Sequence, residues 1–303
     1  MLQDIVVLGA NSALPLIDRF SSSFVLRTDK NFFLIDAGEG CQMKMGQFKV
    51  KRNRISHVFI SHLHGDHVFG LPGLITSYNL NGRKDILTIY GPIGIKKYID
   101  IILEVSQSKL GFELIINEIV EQSFQKLVSV GNITIHAFPL KHRIPTYGYL
   151  FKEENEVLNI QSDKIDEYKL TVEEIKSAKK GNNLERKNGM IHNDAITYVK
   201  EKPKSFAYCS DTRYDPSIVD FIEGVNLLYH EATYLDELRE QAHIRFHSTA
   251  SQAAEIALSA TVKKLVIGHY SSRYKDIEAL RIEALKTFSN VVLAEEGKII
   301  SIL

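Results

Sequence analysis

The chain has 303 residues, 44% of them hydrophobic and 24% charged, a composition that indicates a folded globular protein rather than a disordered one. Its 37 basic and 37 acidic residues cancel, so the overall charge gives no argument for a polyanionic partner. No apolar stretch approaches the roughly 20 residues that span a bilayer, and no basic signal-peptide region precedes Asp4. We therefore expect a cytoplasmic protein with no membrane partner.

Short strands alternate with helical segments in the first half of the chain. Runs rich in Val, Ile and Phe predict the strands, and apolar residues at helical spacing predict the helices. The predicted strands are residues 3–9, 23–27, 31–37, 57–60, 86–90, 112–119, 132–138 and 148–151, and the predicted helices are residues 39–48 and 69–80.

The middle of the chain has a different character. Over residues 152–204 apolar periodicity weakens, and Lys, Glu and Asn dominate. This pattern indicates a polar arm that is inserted into a single domain covering residues 1–303.

The same alternation resumes after the arm. Strands are predicted at 205–209, 225–230 and 264–267, with two more at the end of the chain. Helices are predicted near 216–223, from about 247 onward and at 276–288. Successive strands with helices at intervals predict two α/β halves packed around one site.

One loop carries a high density of side chains that can bind metal. The sequence SHLHGDH, residues 61–67, follows directly after an apolar strand. In extended backbone His62 and His64 point to the same side, so they can hold one ion. A glycine then allows a tight turn, after which Asp66 and His67 face a neighbouring position. The loop therefore predicts two metal ions, which need further ligands and one ligand that bridges them.

Three further residues follow predicted strands. His142 lies in PLKHRIPTYGY, Asp211 in AYCSDTRY and His269 in VIGHYSSRY. Ligands of open α/β sheets collect at the carboxyl ends of strands, so these three side chains can meet there. The cysteines, Cys41 and Cys209, fit no CxxC pattern, and any metal must use histidine and carboxylate ligands.

Together these motifs resemble the metallo-β-lactamase superfamily and, within it, the ribonuclease Z family of tRNA 3′-end endonucleases. The resemblance covers nearly all of residues 1–151 and 204–303 and rests on DAGEGCQ, SHLHGDHVFGLPGL, PLKHRIPTYGY, SDTRY, LLYHEATY, HSTASQAA and GHYSSRY. It implies an α/β fold, an αββα sandwich of two mixed β-sheets flanked by helices, with the arm at 152–204 as a tRNA-binding exosite. It also implies two Zn²⁺ per chain, precursor tRNA as the partner, and a homodimer.

The resemblance also implies which residues bind the two metal ions. One zinc ion would be bound by His62, His64 and His142, the other by Asp66, His67 and His269, and Asp211 would bridge them.

Further residues match the catalytic positions of the family. Asp66 is implied to orient or deprotonate the attacking water, and His247 to protonate the leaving oxygen. Glu231 would orient His247, and Ser271 and Arg273 would contact phosphate. Imidazole titrates near the working pH and guanidinium offers a planar fork of donors, so both residue types suit these tasks. On local sequence alone, His247 would be only a residue at a helix start.

Two features depart from the family pattern. The usual GTGSA turn is GANSA here, and we expect Asn11, in a glycine position, to tolerate a positive φ. The arm has no Gly-Pro motif, although basic residues remain as a candidate RNA-binding set. Such a run is more often a solvated face. The set comprises Lys176, Lys179, Lys180, Arg186 and Lys187.

The leading hypothesis is a zinc-dependent endoribonuclease that removes 3′ trailers from tRNA precursors and leaves a 3′-hydroxyl on the tRNA. One alternative is a small-molecule phosphodiesterase or other hydrolase of the same fold, which would have no need of the long arm. Another is a non-catalytic RNA-binding protein, which would have no chemical reason to keep every ligand position filled. Neither the response to an encoded CCA end nor the preferred tRNA follows from the sequence.

Overall fold

The computed structural model describes residues 1–186 and 189–302. Its strands are β1 (Leu2–Gly9), β2 (Ser23–Thr28), β3 (Phe32–Ile35), β4 (Ile55–Phe59), β5 (Leu87–Pro92), β6 (Leu114–Ile119), β7 (Gln125–Val130), β8 (Ile133–Leu140), β9 (Thr146–Glu153), β10 (Val157–Ile160), β11 (Leu184–Arg186), β12 (Gly189–Ile191), β13 (Thr197–Glu201), β14 (Ser205–Cys209), β15 (Leu227–Glu231), β16 (Leu265–Gly268), β17 (Val291–Leu293) and β18 (Ile299–Ser301). Its helices are α1 (Cys41–Gln47), α2 (Gly65–Val68), α3 (Gly70–Leu80), α4 (Ile95–Val105), α5 (Ser162–Glu167), α6 (Val172–Ala178), α7 (Asn193–Ile196), α8 (Arg239–Arg245), α9 (Ala250–Ser259) and α10 (Glu278–Leu285).

The first large sheet has the order β18-β1-β2-β3-β4-β5-β6. Strands β3 to β6 are parallel, and the remaining neighbours are antiparallel. Helices α1, α3 and α4 cover its outer face, where Met45, Leu74 and Ile99 are buried against Leu34 and Val58 of the sheet. Continuous apolar strands such as these are expected when both faces of a sheet are covered.

The second large sheet has the order β17-β16-β15-β14-β9-β8-β7. Its β14 to β17 are parallel, and β7, β8, β9 and β14 are antiparallel neighbours. Helices α9 and α10 pack against it through Ala253, Ala257 and Leu280. Helix α9 begins with a capping box, in which the Thr249 side chain accepts from the Gln252 backbone N–H and the Gln252 side chain accepts from that of Thr249.

Aromatic side chains fill the space between the two sheets. Phe151 of the second sheet stacks on Phe33 of the first with ring centroids 5.8 Å apart, and it meets Phe59 edge-on at 5.2 Å. These rings are fully buried, and such pairs add to the free energy gained from burial alone. The αββα sandwich of two mixed sheets is therefore confirmed.

Several element bounds differ from those predicted. The helix predicted at 69–80 is α3, which begins one residue later, and the short helix α2 that precedes it was not predicted. The helix predicted at 216–223 is a 3₁₀ segment, Pro216–Phe221. Strand β9 continues to Glu153, so the inserted arm begins two residues later than expected. No helix among the residues described has the length and apolar content to cross a bilayer.

The arm between β9 and β14 has a small core of its own. It contains two hairpin-like sheets, β10 with β13 and β11 with β12, and helices α5 to α7. Ile160, Leu170, Ala178, Leu184 and Ile196 are buried together. The arm is thus polar outside but folded around apolar residues that are too few to give a clear periodic pattern.

Candidate active site

The His-rich loop turns where the sequence predicts. Strand β4 ends at Phe59, and His64 precedes α2 in an extended conformation, with ψ of 148°. Helix α2 begins at the next residue, which carries Asp66 and His67 away from the two preceding histidines. The loop therefore contributes side chains to two neighbouring candidate metal sites.

The first group of metal-capable atoms contains His62, His64, His142 and Asp211. Nδ1 of His64 lies 3.0 Å from Nε2 of His62 and 3.2 Å from Nε2 of His142. Oδ2 of Asp211 lies 3.7 Å from Nε2 of His62 and 3.9 Å from Nε2 of His142. Ligand atoms that surround one tetrahedral ion at about 2.0–2.1 Å are spaced by roughly 3.3 Å, so these four donors fit a single ion.

The second group contains Asp66, His67 and His269, and the other oxygen of Asp211 faces it. Oδ2 of Asp66 is 3.4 Å from Nε2 of His67 and 3.5 Å from Nε2 of His269. Oδ1 of Asp211 is 3.4 Å and 3.2 Å from the same two nitrogens. Asp211 thus presents one oxygen to each group.

The buried atoms of the site suit bound cations. Nε2 of His67 and Nε2 of His269 are buried and make no hydrogen bond within the described residues. Such orphaned atoms are costly unless a ligand satisfies them. Burial lowers the pKa of His62 and of His142, which favours the neutral imidazole that binds metal. Imidazole and carboxylate donors in this number are typical of a zinc site, so these residues fit the zinc ions that the family resemblance implies.

Further contacts orient the imidazoles. Nδ1 of His67 lies 2.7 Å from a buried carboxylate oxygen of Asp36, and Nδ1 of His269 lies 2.9 Å from Oγ1 of Thr233. Nδ1 of His142 lies 3.0 Å from the carbonyl oxygen of Phe246. In each case the contact leaves Nε2 to face the cluster, as expected for metal-binding histidines.

Asp66 also contacts the turn after β1. Its Oδ2 accepts a hydrogen bond from the backbone N–H of Ala13 at 2.9 Å. Burial favours the neutral acid, but the imidazoles of His67 and His269 outweigh it and hold the pKa of Asp66 far below its usual value. The turn itself corrects one expectation, because the positive φ, 55°, falls on Ala13 and not on Asn11.

His247 and Glu231 form a pair beside the metal-capable groups. Nδ1 of His247 lies 2.8 Å from Oε1 of Glu231, a fully buried carboxylate. Oε1 also accepts from the backbone N–H of Thr212, and Oε2 accepts from that of Thr233. Burial opposes protonation of His247, but the carboxylates of Glu231 and Asp211 outweigh it and raise its pKa to about 9. His247 also lies near Asp211 and His269, in a third group of possible ligands.

A cleft of about 660 Å³ opens over these residues. Ser271 and Arg273, which are predicted to contact phosphate, line it, and Nε of Arg273 donates to Oγ of Ser271 at 3.2 Å. Two exposed arginines that the sequence analysis missed, Arg143 and Arg245, line it as well. Their positions beside His142 and His247 could have suggested them, since arginine near a phosphate-cleaving centre is a natural anion ligand.

The described candidate RNA-binding residues of the arm do not line this cleft, and their contacts differ. Arg186 forms a two-pronged contact with Glu174, at 2.8 and 2.9 Å, and Lys176 pairs with Glu173 at 2.9 Å. Lys179 and Lys180 are exposed and form no ion pair with a described residue. Lys187 lies outside the described residues.

Fold and site together define a metallo-β-lactamase-fold protein that has a candidate metal centre. YhfI from Bacillus subtilis, described as a metallo-β-lactamase fold protein, matches with a TM-score of 0.71 at 18% identity over 99% of both chains, which shows the fold alone. The short form of human tRNase Z matches with a TM-score of 0.72 at 28% identity, again over 99% of both chains.

Sequence relatives identify the family more closely. Ribonuclease Z of Parabacteroides distasonis is 42% identical over 99% of both chains, and that of Bacteroides fragilis is 40% identical over 98% of both. A family model described as Anti-Pycsar protein Apyc1 matches residues 3–193. The chain therefore belongs to the ribonuclease Z family, and over residues 3–193 it also fits the Apyc1 family model.

Proposed function

We propose that the chain is a zinc-dependent endoribonuclease that removes 3′ trailers from tRNA precursors and leaves a 3′-hydroxyl on the tRNA. The observation that carries the proposal is the position of Asp211, which turns one oxygen to each group of donors beside the His247–Glu231 pair. Membership of the ribonuclease Z family supplies the substrate class.

Two zinc ions are part of this proposal. His62, His64 and His142 would hold one, Asp66, His67 and His269 would hold the other, and Asp211 would bridge them. When bound, such ions lower the pKa of water towards neutrality and neutralise charge that develops on an attacked phosphate.

Asp66 and His247 would act on opposite sides of the phosphate. A carboxylate that binds metal is ionised and is a poor proton store, so we assign Asp66 to orienting the attacking water by accepting a hydrogen bond. Cleavage that leaves a 3′-hydroxyl breaks the P–O3′ bond, and O3′ departs with the tRNA and needs a proton. His247 is protonated at neutral pH because its pKa is raised, so it would supply that proton through Nε2 while Glu231 holds Nδ1.

Cationic side chains around the cleft would position the RNA backbone. Arg273, fixed to Ser271, would contact the reacting phosphate, and Arg143 and Arg245 would hold its neighbours. In the arm, Lys179 and Lys180 are the better candidates for phosphate contact, because Arg186 and Lys176 already pair with glutamates.

Two broader parts of the proposal rest on the family and on the substrate. We assign the chain to a homodimer, in which the arm of one subunit would serve the RNA. We also assign it to the cytoplasm, where it would meet tRNA precursors, and the free state of Cys41 and Cys209 agrees with a reducing compartment.

The deciding experiment is incubation of the purified, zinc-loaded protein with a 3′-extended tRNA precursor, with the cut mapped to a single nucleotide. We expect one cut that leaves a 3′-hydroxyl on the tRNA, and none in a mature tRNA of the same sequence. Hydrolysis of a small chromogenic phosphodiester with no cleavage of the precursor would instead favour a small-molecule phosphodiesterase.

A further inference from the structure

The turn after β1 has a strained backbone and little packing of its own. Leu14 N–H donates to the carbonyl of Ser12 at 2.7 Å, which closes a three-residue turn around Ala13. Ala13 has a φ of 55°, a region that residues with a β-carbon avoid and that is typical of strained γ-turns. Ala13 and Leu14 are exposed, so burial does not stabilise the turn.

One buried side chain does stabilise it. Nδ2 of Asn11 donates to the carbonyl oxygen of Leu14 at 2.6 Å. Asn11 is only 1% exposed, and its backbone N–H donates to Phe20 at 2.9 Å. Its amide is thereby anchored at the base of the turn and reaches across to the far end.

The oxygen of the same Asn11 amide is a destabilising feature. Oδ1 of Asn11 is buried and accepts no hydrogen bond from any described residue. A buried acceptor without a partner is destabilising. The contact from Nδ2 to Leu14 is therefore the feature that distinguishes asparagine here from a small apolar residue.

The turn presents its strained residue to the candidate metal centre. The N–H of Ala13 donates to Oδ2 of Asp66, the same oxygen that faces Nε2 of His67 and of His269. The backbone N–H of the preceding residue, Ser12, donates to the carbonyl of Tyr270, which is the neighbour of His269. The turn thus joins two members of the second group of donors.

We propose that Asn11 is a positioning residue for Asp66, acting through the turn Ser12–Ala13–Leu14, so that its amide sets the metal affinity of the second group and the rate of the reaction. The inference rests on the proposed function only for the rate. The Nδ2 contact holds Ala13 in its strained conformation, and that conformation aims the N–H at Asp66. Without the amide the turn relaxes, and Asp66 loses a hydrogen bond that orients it.

The test compares Asn11→Ala and Asn11→Gly with a matched control, Asn193→Ala. Asn193 makes the same kind of contact, Nδ2 to the carbonyl of Ala178 at 2.7 Å, but within the arm. Zinc affinity is measured by chelator competition, amide exchange of residues 13 and 14 on the metal-free protein, and kcat and KM on precursor tRNA.

Both Asn11 variants should lower the affinity of one of the two zinc sites by about tenfold, at the low end of the range for residues that support ligands indirectly. They should also speed amide exchange at residues 13 and 14 and lower kcat by a similar factor with KM unchanged. Asn193→Ala is the control for zinc affinity and for exchange at residues 13 and 14, and it should alter neither. Zinc affinity and exchange that stay within about twofold of the original protein in both Asn11 variants would overturn the proposal.

A second substitution tests the route through Ala13. Glycine adopts a positive φ without strain, so Ala13→Gly should restore most of the zinc affinity lost in Asn11→Ala. A double variant no better than Asn11→Ala alone would show that the amide does not act through this turn. Because zinc binding and amide exchange need no RNA, a protein that fails to cleave precursor tRNA would still give a clear answer on Asn11.

Discussion

Glu231 accepts a hydrogen bond from Nδ1 of His247 across 2.8 Å, and its carboxylate is wholly buried. The pair leaves Nε2 of His247 as the atom available to the cleft. Burial of a carboxylate is costly unless it is hydrogen-bonded, and Glu231 also accepts from the backbone N–H groups of Thr212 and Thr233 and from the Thr233 hydroxyl. The arrangement is therefore built to hold one imidazole in one orientation.

Replacement of His247 tests its role as proton donor. His247→Ala should slow cleavage by roughly 10²–10⁴-fold, the usual contribution of a general acid, and should leave the zinc content unchanged. Single-turnover rates and metal analysis measure the two effects. His243→Ala, an exposed histidine on α8, is the control and should behave as the original protein. Loss of a zinc ion from His247→Ala would make the residue a ligand.

The pH dependence of kcat should show the effect of the Glu231 carboxylate on the pKa of His247. In the proposed mechanism the protonated imidazole of His247 is the active form, and its raised pKa keeps that form present through neutral pH. Activity should therefore fall on the alkaline side, at or below about pH 9, since bound cations would lower the pKa of His247 from that value. Glu231→Gln keeps the hydrogen bond but removes the charge, so it should move the alkaline limb to lower pH. An unmoved limb would contradict the role assigned to Glu231.

Metal removal tests the bridge. Chelation should abolish hydrolysis and zinc should restore it, with two ions bound per active chain. Asp211→Ala removes an oxygen from both groups of donors, so it should weaken both ions and not one. Chelator titration of the two proteins gives the comparison. A fully active chain with one ion would remove the bridging role of Asp211.

Replacement of Asp66 should affect turnover much more than affinity for RNA. Asp66→Ala should lose far more kcat than affinity for an uncleavable precursor, because the carboxylate faces His67 and His269 rather than the outer rim of the cleft. Asp85→Ala on the surface serves as the control. Near-normal turnover in Asp66→Ala would refute its assignment to the attacking water.

Removal of the arm should affect large substrates alone. Backbone N–H of Glu153 donates to the carbonyl of Lys204 at 2.9 Å, so a short turn can replace residues 154–203. The shortened chain should show a strongly raised KM for precursor tRNA and nearly unchanged hydrolysis of a small chromogenic phosphodiester. Lys179→Ala with Lys180→Ala should reduce the log–log salt slope of binding by roughly 0.7–0.9 for each lost phosphate contact. An unchanged slope would leave those lysines as a solvated surface.

The strand ends were the most predictable part of the fold. His142, Asp211 and His269 each follow a buried strand, and the apolar runs before them leave little choice of conformation. The same apolar runs predict that the metal-capable side chains lie together at the carboxyl ends of the strands. Chain-local patterns suffice when burial on both faces makes a segment almost wholly apolar.

Other features depended on contacts that the sequence does not display. Strand β7, QKLVSV, is half-exposed and mixes polar with apolar residues, so its pattern does not predict a strand. Helix α4 is absent from the predicted elements, although its apolar residues recur at helical spacing. The positive φ of Ala13 accompanies the hydrogen bond from its N–H to Asp66, which lies in another segment, and the hydrogen bond from the Asn11 side chain to Leu14. The small core of the arm has too few residues to show a period.

The adjacency of Glu153 and Lys204 has an evolutionary consequence. Because the two ends of the arm are hydrogen-bonded neighbours, and because Ile160, Leu184 and Ile196 form a core separate from the two large sheets, the arm can be exchanged as a cassette. Insertions, losses or new charges there leave the strand ends that carry the histidines untouched. Substrate range can thus diversify on a scaffold whose chemistry stays constant, and transplanting an arm from one relative to another should transfer its preference for RNA.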